Sequence, residues 1–159
     1  IHQDRYDMIM DLLEVRKHSL VAFNWKHERN ALTKLADKKG FSYAVIDGET
    51  PAHKRVDIVD RFQAGQIKVL FAHPQSAGHG LTLTKATTCI WCSPTYNAEH
   101  FQQFNRRIYR AGQSSKTETI LIAARDTWEE KVYEKLNGKL GKMQNLLHVL
   151  NKLHNQEDS

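Results

Sequence analysis

A chain of 159 residues, 40% hydrophobic and 26% charged, carries enough apolar content for one globular domain with a full core and is too balanced for a disordered tail. No apolar run approaches the ~20 residues that a membrane span requires, and no basic-then-apolar leader opens the chain, so a cytoplasmic, non-secreted protein is expected. A formal net charge of +5 favours a polyanionic partner without identifying one.

The first residue is Ile1 rather than methionine, which reads as a piece cut from something longer. Residues 3 to 16 place Tyr6, Ile9, Met10, Leu13 and Val15 at near-helical spacing and end in the basic Arg16-Lys17-His18 expected near a helix C-terminus. Leu20-Val21-Ala22-Phe23 is a continuous apolar run, too short for a helix and typical of a strand buried on both faces. Asn24-Trp25-Lys26 follows, then a helix to Lys39 stopped by Gly40, with Leu32 and Leu35 facing the core.

Ser42 to Ile46 reads as a second strand leading into Asp47-Gly48-Glu49. An apolar strand ending in acids invites a magnesium-site reading. No Gly-x-x-x-x-Gly-Lys-Ser/Thr loop accompanies it, so the acidic pair is read as a turn. Thr50 as N-cap and Pro51 at the first helical position open a helix to Ala64, closed by Gly65, with Val56, Val59 and Phe62 inward.

Ile67 to Ala72 is a third strand, feeding the loop His73-Pro74-Gln75-Ser76-Ala77-Gly78-His79-Gly80-Leu81-Thr82-Leu83. Glycines 78 and 80 allow backbone amides to approach a ligand closely. Leu83 stands where a dinucleotide fingerprint needs its third glycine. His73 and His79 lack a carboxylate or cysteine at ligand spacing and read as ordinary loop histidines.

Thr88 to Ser93 is a fourth strand. It contains Cys89 and Cys92, whose spacing suggests a redox or metal pair, but residues three apart on a strand point to opposite faces, so both read as packing residues and no metal is expected. Pro94-Thr95-Tyr96-Asn97 then delivers the chain into a helix at the carboxyl end of that strand, where open α/β sheets place their ligand sites. If that helix continues at roughly 100° per residue, Gln103, Arg107 and Arg110 fall within about 60° of one another and Phe101, Phe104 and Ile108 lie opposite. Two arginines on one face, followed by Gly112 as a helix stop, form a fork suited to phosphate oxygens.

Thr119 to Ala123 is a fifth strand, and Thr127-Trp128-Glu129-Glu130 reads as a capping box opening a long helical tail with apolar positions from Val132 to Leu150. Strands alternating with helices indicate an α/β fold, a mostly parallel sheet with helices on both faces, plus a C-terminal helical tail. The expected division is 1–126 for the α/β domain and 127–159 for a helical extension packed on it.

The pattern Gln103-x-x-x-Arg107-x-x-Arg110-x-Gly112-Gln113 resembles motif VI of the superfamily-two helicases, and its closing Gly112-Gln113 resembles the Swi/Snf-type DNA-dependent ATPases in particular. The loop with Gly78, Gly80, Leu81 and Leu83 resembles motif V, Leu20 to Trp25 motif IV, and Asp47-Gly48, Arg55 and Phe62 the block preceding motif V. Departures from the family are Arg106 for Asp, Tyr109 for His, Ala77 for Gly, Thr82 for Asn, and His73-Pro74 for two small hydroxyl residues. The resemblance spans about residues 18 to 125 and implies the second of two RecA-like domains in a three-layer fold.

It implies catalytic roles for Arg110, as an arginine finger toward a γ-phosphate, and for Arg107. ATP contacts are implied for Gln103, Gly80, Arg107 and Arg110, and DNA contacts for Asn24, Gln75, Ser76, Gly78 and Thr82. ATP and Mg2+ would be held mainly by an N-terminal RecA-like domain of the same protein, and without that domain's phosphate loop and acidic magnesium site this chain alone is expected to be inactive. The expected partner is DNA, duplex ahead of single-stranded, and the expected source is a bacterial or phage-infected cell. Two readings of other classes stand beside this one: a free-standing nucleic-acid-binding module without ATPase activity, discriminated by the absence of an upstream phosphate loop, and a small-molecule nucleotide-binding domain, which lacks its glycine fingerprint.

Overall fold

The three central four-residue strands are buried on both faces and need helices on both sides of the sheet, and the chain supplies them in alternation. The order is α1 (His2–Glu14), β1 (Ser19–Ala22), α2 (Lys26–Lys39), β2 (Tyr43–Ile46), α3 (Ala52–Gln63), β3 (Val69–Ala72), β4 (Thr88–Trp91), α4 (Ala98–Asn105), β5 (Glu118–Leu121) and α5 (Trp128–Leu140). The computed structural model describes residues 2–77, 81–109, 116–124 and 126–140, and side chains of residues 5–136 within those spans.

All four pairings are parallel, in the order β2-β3-β1-β4-β5. Strand alternation divides the core into two. Leu20, Ala22, Leu70, Ala72, Cys89, Trp91 and Leu121 face one side and pack with Ile58 and Phe62 of α3, Phe101 and Phe104 of α4, and Tyr133 and Leu136 of α5. Val21, Phe23, Val69, Phe71, Ile90, Cys92 and Ile120 face the other and pack with Ile9, Met10 and Leu13 of α1 and Leu32 and Ala36 of α2. The result is the three-layer RecA-like arrangement. Cys89 and Cys92 lie in different cores, both buried and free, and burial pushes both thiols up.

Several expectations need correction. Val15 is 79% exposed, because two residues beyond Leu13 is about 200° around the helix. Val56 is 61% exposed for the same reason, and Ile58, four residues from Phe62, takes the inward place. Helix α3 begins one residue later than predicted, with Pro51 as N-cap, while the Thr50 hydroxyl instead accepts from the Asp47 N–H at 3.0 Å. Glycine closes two helices as expected: Gly40 and Gly65 both have positive φ, +76° and +83°.

The acidic segment after β2 is indeed a turn. The Asp47 side chain accepts from the Glu49 N–H at 2.9 Å and pairs with Arg29 at 2.7 Å. Burial alone would raise the Asp47 carboxyl, but Arg29, the Glu49 N–H and the Thr50 hydroxyl outweigh it and leave the group below its ordinary range. Glu118 is likewise lowered: burial acts upward, and the bonds from Arg16 and Thr88 outweigh it. A carboxylate with a depressed folded pKa contributes stability that is complete above its unfolded pKa, about 4, and is lost as pH falls through the folded value. The share of the urea midpoint contributed by these two carboxylates should therefore hold level from about pH 7 to about 5 and fall below about 4. Arg29→Met should reduce that acid-side loss; identical pH profiles in both proteins would refute the assignment.

Candidate ATPase and nucleic-acid interface

Two groups of side chains stand out. The first lies at the carboxyl edge of the sheet, between β1 and β4, where the following connections leave in opposite directions: the β1 connection leads toward β2, and β4 leads to β5 at the other edge. Such a switch point opens a crevice in parallel α/β sheets.

Glu28 of α2 organises the crevice. This buried carboxylate, 4% exposed, accepts from the Asn24 N–H at 2.8 Å, the Trp25 N–H at 3.2 Å and the Ser93 hydroxyl at 3.1 Å. It thereby ties the loop after β1 to the loop after β4. Asn24 makes the same connection from the other side, donating its amide to Ser93 O at 2.9 Å, Ser93 Oγ at 3.0 Å and Pro94 O at 3.2 Å. Its Nδ2 is thus engaged inside the protein, and Asn24 positions the two loops.

Beside these loops is a cavity of about 430 Å³ lined by Asn24, Trp25, His73, Pro74, Gln75, Pro94, Thr95, Tyr96, Asn97, His100 and Trp128. Gln75 is exposed, and its N–H donates to His73 Nδ1 at 3.2 Å. Burial, joined by the nearby His100, pulls the His73 pKa down, with Asp47 and the Asn24 backbone partly offsetting it. A neutral imidazole accepting through Nδ1 is the form that fits this bond.

Ser76 sits differently from Gln75. Its carbonyl accepts from Arg55 Nη1 at 3.0 Å, and the same guanidinium donates to Thr50 O and Asp47 O, clamping the loop after β3 to the turn after β2. Thr82 is exposed, next to Leu83. Gly78, Gly80 and Arg110 lie outside the described residues, as do Gly112 and Gln113.

The second group centres on Arg107. The predicted helix does not run on to the second arginine: α4 ends at Asn105 with Arg106 as C-cap, and three-residue turns follow, Arg107 N–H to Phe104 O at 3.0 Å and Tyr109 N–H to Arg106 O at 3.1 Å. The reason is tertiary. The tightened backbone keeps Ile108 in the core at 2% exposure and lets Arg107 O accept the Leu83 N–H at 2.9 Å. Asn105 adds an anchor, its Oδ1 accepting from Trp91 Nε1 at 2.7 Å.

Arg107 nonetheless lies against the segment resembling motif V. Its Nε donates to Gln103 O at 2.8 Å and its Nη1 approaches Leu81 O at 3.4 Å. Gln103 itself contributes its backbone carbonyl here, while its amide nitrogen reaches Glu99 at 3.3 Å. Among the described residues Arg107 has no carboxylate partner. Burial first, and neighbouring Arg106 second, lower its pKa from the ordinary arginine value. A half-buried cation beside another cation is a place where an anion would be stabilised.

Sequence reasoning missed Glu28, Ser93, Trp25, Tyr96, Asn97, His100 and Trp128. Glu28 stands three residues after the N-cap, the place of the reciprocal residue in a capping box, but the N-cap is Trp25 rather than Ser or Thr. The aromatic residues Trp25, Tyr96 and Trp128 carry no spacing signal, since the fold gathers them from two separate loops and a helix start.

Three comparisons with known proteins bear on this arrangement. The model of the family described as helicase conserved C-terminal domain matches residues 4–112. The chain is 33% identical over 136 residues to Protein CHROMATIN REMODELING 24 of Arabidopsis thaliana, covering 82% of this chain and 12% of that protein. It is 30% identical over 135 residues to Chromodomain-helicase-DNA-binding protein 1-like of Mus musculus, covering 84% of this chain and 15% of that one. The chain thus spans less than a sixth of the length of either relative. In fold it is similar to the C-terminal part of the Fun30 ATPase domain, with a TM-score of 0.75 at 20% identity over 90% of this chain and 46% of that one. Motif order, three-layer sheet and family match agree, and the chain belongs to the helicase conserved C-terminal domain family, among its Swi/Snf-type members.

Proposed function

We propose that this chain is the second half of a DNA-dependent ATPase, a translocase or remodeller whose active site closes between two domains. The observation that carries the reading is Arg107, a half-buried guanidinium held by two neutral carbonyls with no carboxylate partner among the described residues. Its charge is fixed in place and left for an anion, and the phosphates of ATP have the chemistry to use it.

In this proposal, ATP and Mg2+ are held mainly by an N-terminal RecA-like domain. When the domains close, Arg110 stabilises charge developing on the γ-phosphate, Arg107 supports the same phosphates, and the Gln103 carbonyl orients Arg107. The Leu83–Arg107 backbone bond and the Arg107–Leu81 contact give a short route between that site and the loop expected to touch DNA. The relatives' names, chromatin remodelling and helicase-DNA-binding proteins, support DNA as the polymer. Duplex DNA is the proposed substrate.

The test is ATP hydrolysis with and without duplex DNA, by this chain alone and joined to its native upstream region. Hydrolysis only by the joined protein, stimulated by DNA, is the expected result. Hydrolysis by the chain alone refutes the split site. No hydrolysis by either, with DNA binding that falls steeply with salt, replaces the reading with a free-standing binding module.

A further inference from the structure

Most of the chain's surplus charge sits at the amino edge of the sheet, opposite the crevice. The segments that lead into the five strands, residues 14–18, 37–42, 64–68, 84–87 and 116–118, hold seven lysines and arginines against three carboxylates, Glu14, Asp37 and Glu118. That is a surplus of four in a chain whose whole surplus is five. Glu118 is moreover already engaged, since Arg16 Nε donates to it at 2.6 Å. The fold sets these cations in a row. Parallel register aligns Tyr43, Val69, Ser19, Thr88 and Glu118, the first residues of β2, β3, β1, β4 and β5. The residues before them are joined across the same edge: the Lys68 N–H donates to Ser42 O at 3.1 Å, the Ser19 N–H to Lys68 O at 3.0 Å, the Thr87 N–H to His18 O at 3.2 Å and the Glu118 N–H to Thr87 O at 3.0 Å. Lys39, Lys68, Lys17, Lys85 and Lys116 therefore stand one to a strand, in that order, on segments ~4.8 Å apart, a row roughly 19 Å long.

Lys68 is used inside the protein, its ammonium donating to Arg16 O and lying 5.4 Å from the Phe41 ring centroid. The other four are exposed and form no ion pair among the described residues. Helix dipoles draw Lys39 to the last turn of α2 and Lys85 to Gly65 after α3, where its Cε lies 3.4 Å from the place a Cβ would take. They explain the cations and not the shortage of acids beside them. A protein partner would need an apolar anchor, and among the described residues Val15 is the one large exposed hydrophobic of this edge. A polyanion of evenly repeated charge needs only the row. Duplex DNA carries one phosphate per ~1.7 Å of its axis, so the row runs beside about five base pairs.

We propose that the amino edge is a second DNA contact, holding the phosphate backbone of a duplex segment through Lys17, Lys39, Lys85 and Lys116, apart from the segment handled at the carboxyl edge. Strands of four residues, ~3.3 Å each, keep the two edges ~13 Å apart and facing opposite ways, so one short stretch of duplex does not reach both. Such a contact is blind to sequence and falls steeply with salt. The inference rests on the DNA reading above for its choice of polyanion.

Affinity for a short duplex of arbitrary sequence, and for polyglutamate, is measured over a salt series with the whole chain and with its triple variant Lys17→Gln, Lys85→Gln, Lys116→Gln. The slope of log affinity against log salt is expected to fall by about 2.7 in the variant, roughly 0.9 for each lysine lost, with the melting temperature unchanged. Arginine at the three positions should keep the wild-type slope. Should the triple variant not fold, Lys85→Gln and Lys116→Gln made singly, each lowering the slope by about 0.9, carry the test. In the protein that carries both helicase domains, the glutamine variant should hydrolyse ATP at the wild-type rate once duplex is saturating. An unchanged slope overturns the second contact and leaves the DNA reading standing. Loss of the saturated, DNA-stimulated rate also overturns it, by putting these lysines on the path of the first segment. Polyglutamate bound more tightly than duplex overturns it in favour of an acidic protein. Failure of the wild-type chain to bind duplex at the lowest salt removes this inference alone, whereas failure of duplex to stimulate the two-domain protein removes the DNA reading.

Discussion

Arg110→Ala, made in the protein that carries both helicase domains, is expected to lower ATP turnover by ~10³ or more while leaving the fold and basal DNA affinity in place. Arg107→Ala should behave differently, and the difference is the more informative result. The Arg107 guanidinium bonds to Gln103 O and its backbone accepts the Leu83 N–H, so this residue also joins two segments of the domain. Alanine there keeps the backbone bond and removes the side-chain bonds. Turnover should fall, and stimulation by DNA should fall further than basal hydrolysis, because the contact with Leu81 is lost as well. Arg107→Lys restores the charge without the planar fork, and is expected to recover little. Normal turnover in Arg110→Ala would sink the arginine-finger assignment. A loss of basal and DNA-stimulated rates in equal proportion in Arg107→Ala would leave Arg107 a phosphate contact with no coupling role.

Most of the fold was legible because it rests on local patterns. Each strand announced itself as a short apolar run, and alternation along the stretch read as a strand from Thr88 to Ser93 was enough to send Cys89 and Cys92 to opposite cores. Gly40 and Gly65 marked helix ends because positive φ is a local demand that glycine meets. The end of α4 was not legible in the same way. A regular helical projection through Arg107 and Arg110 was the natural reading, but Ile108 burial and the Leu83–Arg107 bond come from residues distant in sequence, and they win over regular helix geometry. The aromatic cavity was invisible for a related reason. Trp25, Tyr96 and Trp128 are spread over a hundred residues, and only the order of the strands brings their loops to one edge. Asn24 shows the converse: its motif position suggested DNA, while its amide is engaged by Ser93 and Pro94.

The largest stability effect is expected at Arg5 and Glu129, 124 residues apart and invisible to any local pattern. Their side chains are 10% and 7% exposed, and the guanidinium grips the carboxylate through both nitrogens while donating to Cys92 O at 2.7 Å. Burial opposes the charge on Arg5, but the hydrogen bond and charge of Glu129 prevail and raise its pKa. Glu129 also accepts the Ala124 N–H at 3.0 Å, so one pair fastens α1, the end of β4 and the start of α5. Removing one member strands the other charge in the interior, so Glu129→Ala should cost ~3–5 kcal/mol. In a domain of this size that lowers the melting temperature by roughly 6–20 °C. Arg5→Met with Glu129→Leu should recover much of the loss, because a buried pair is repaid mainly against its own desolvation. A single-variant cost near zero would mean that water reaches the pair. If the double variant is as unstable as the single, the bond to Cys92 O rather than the charge balance holds this corner.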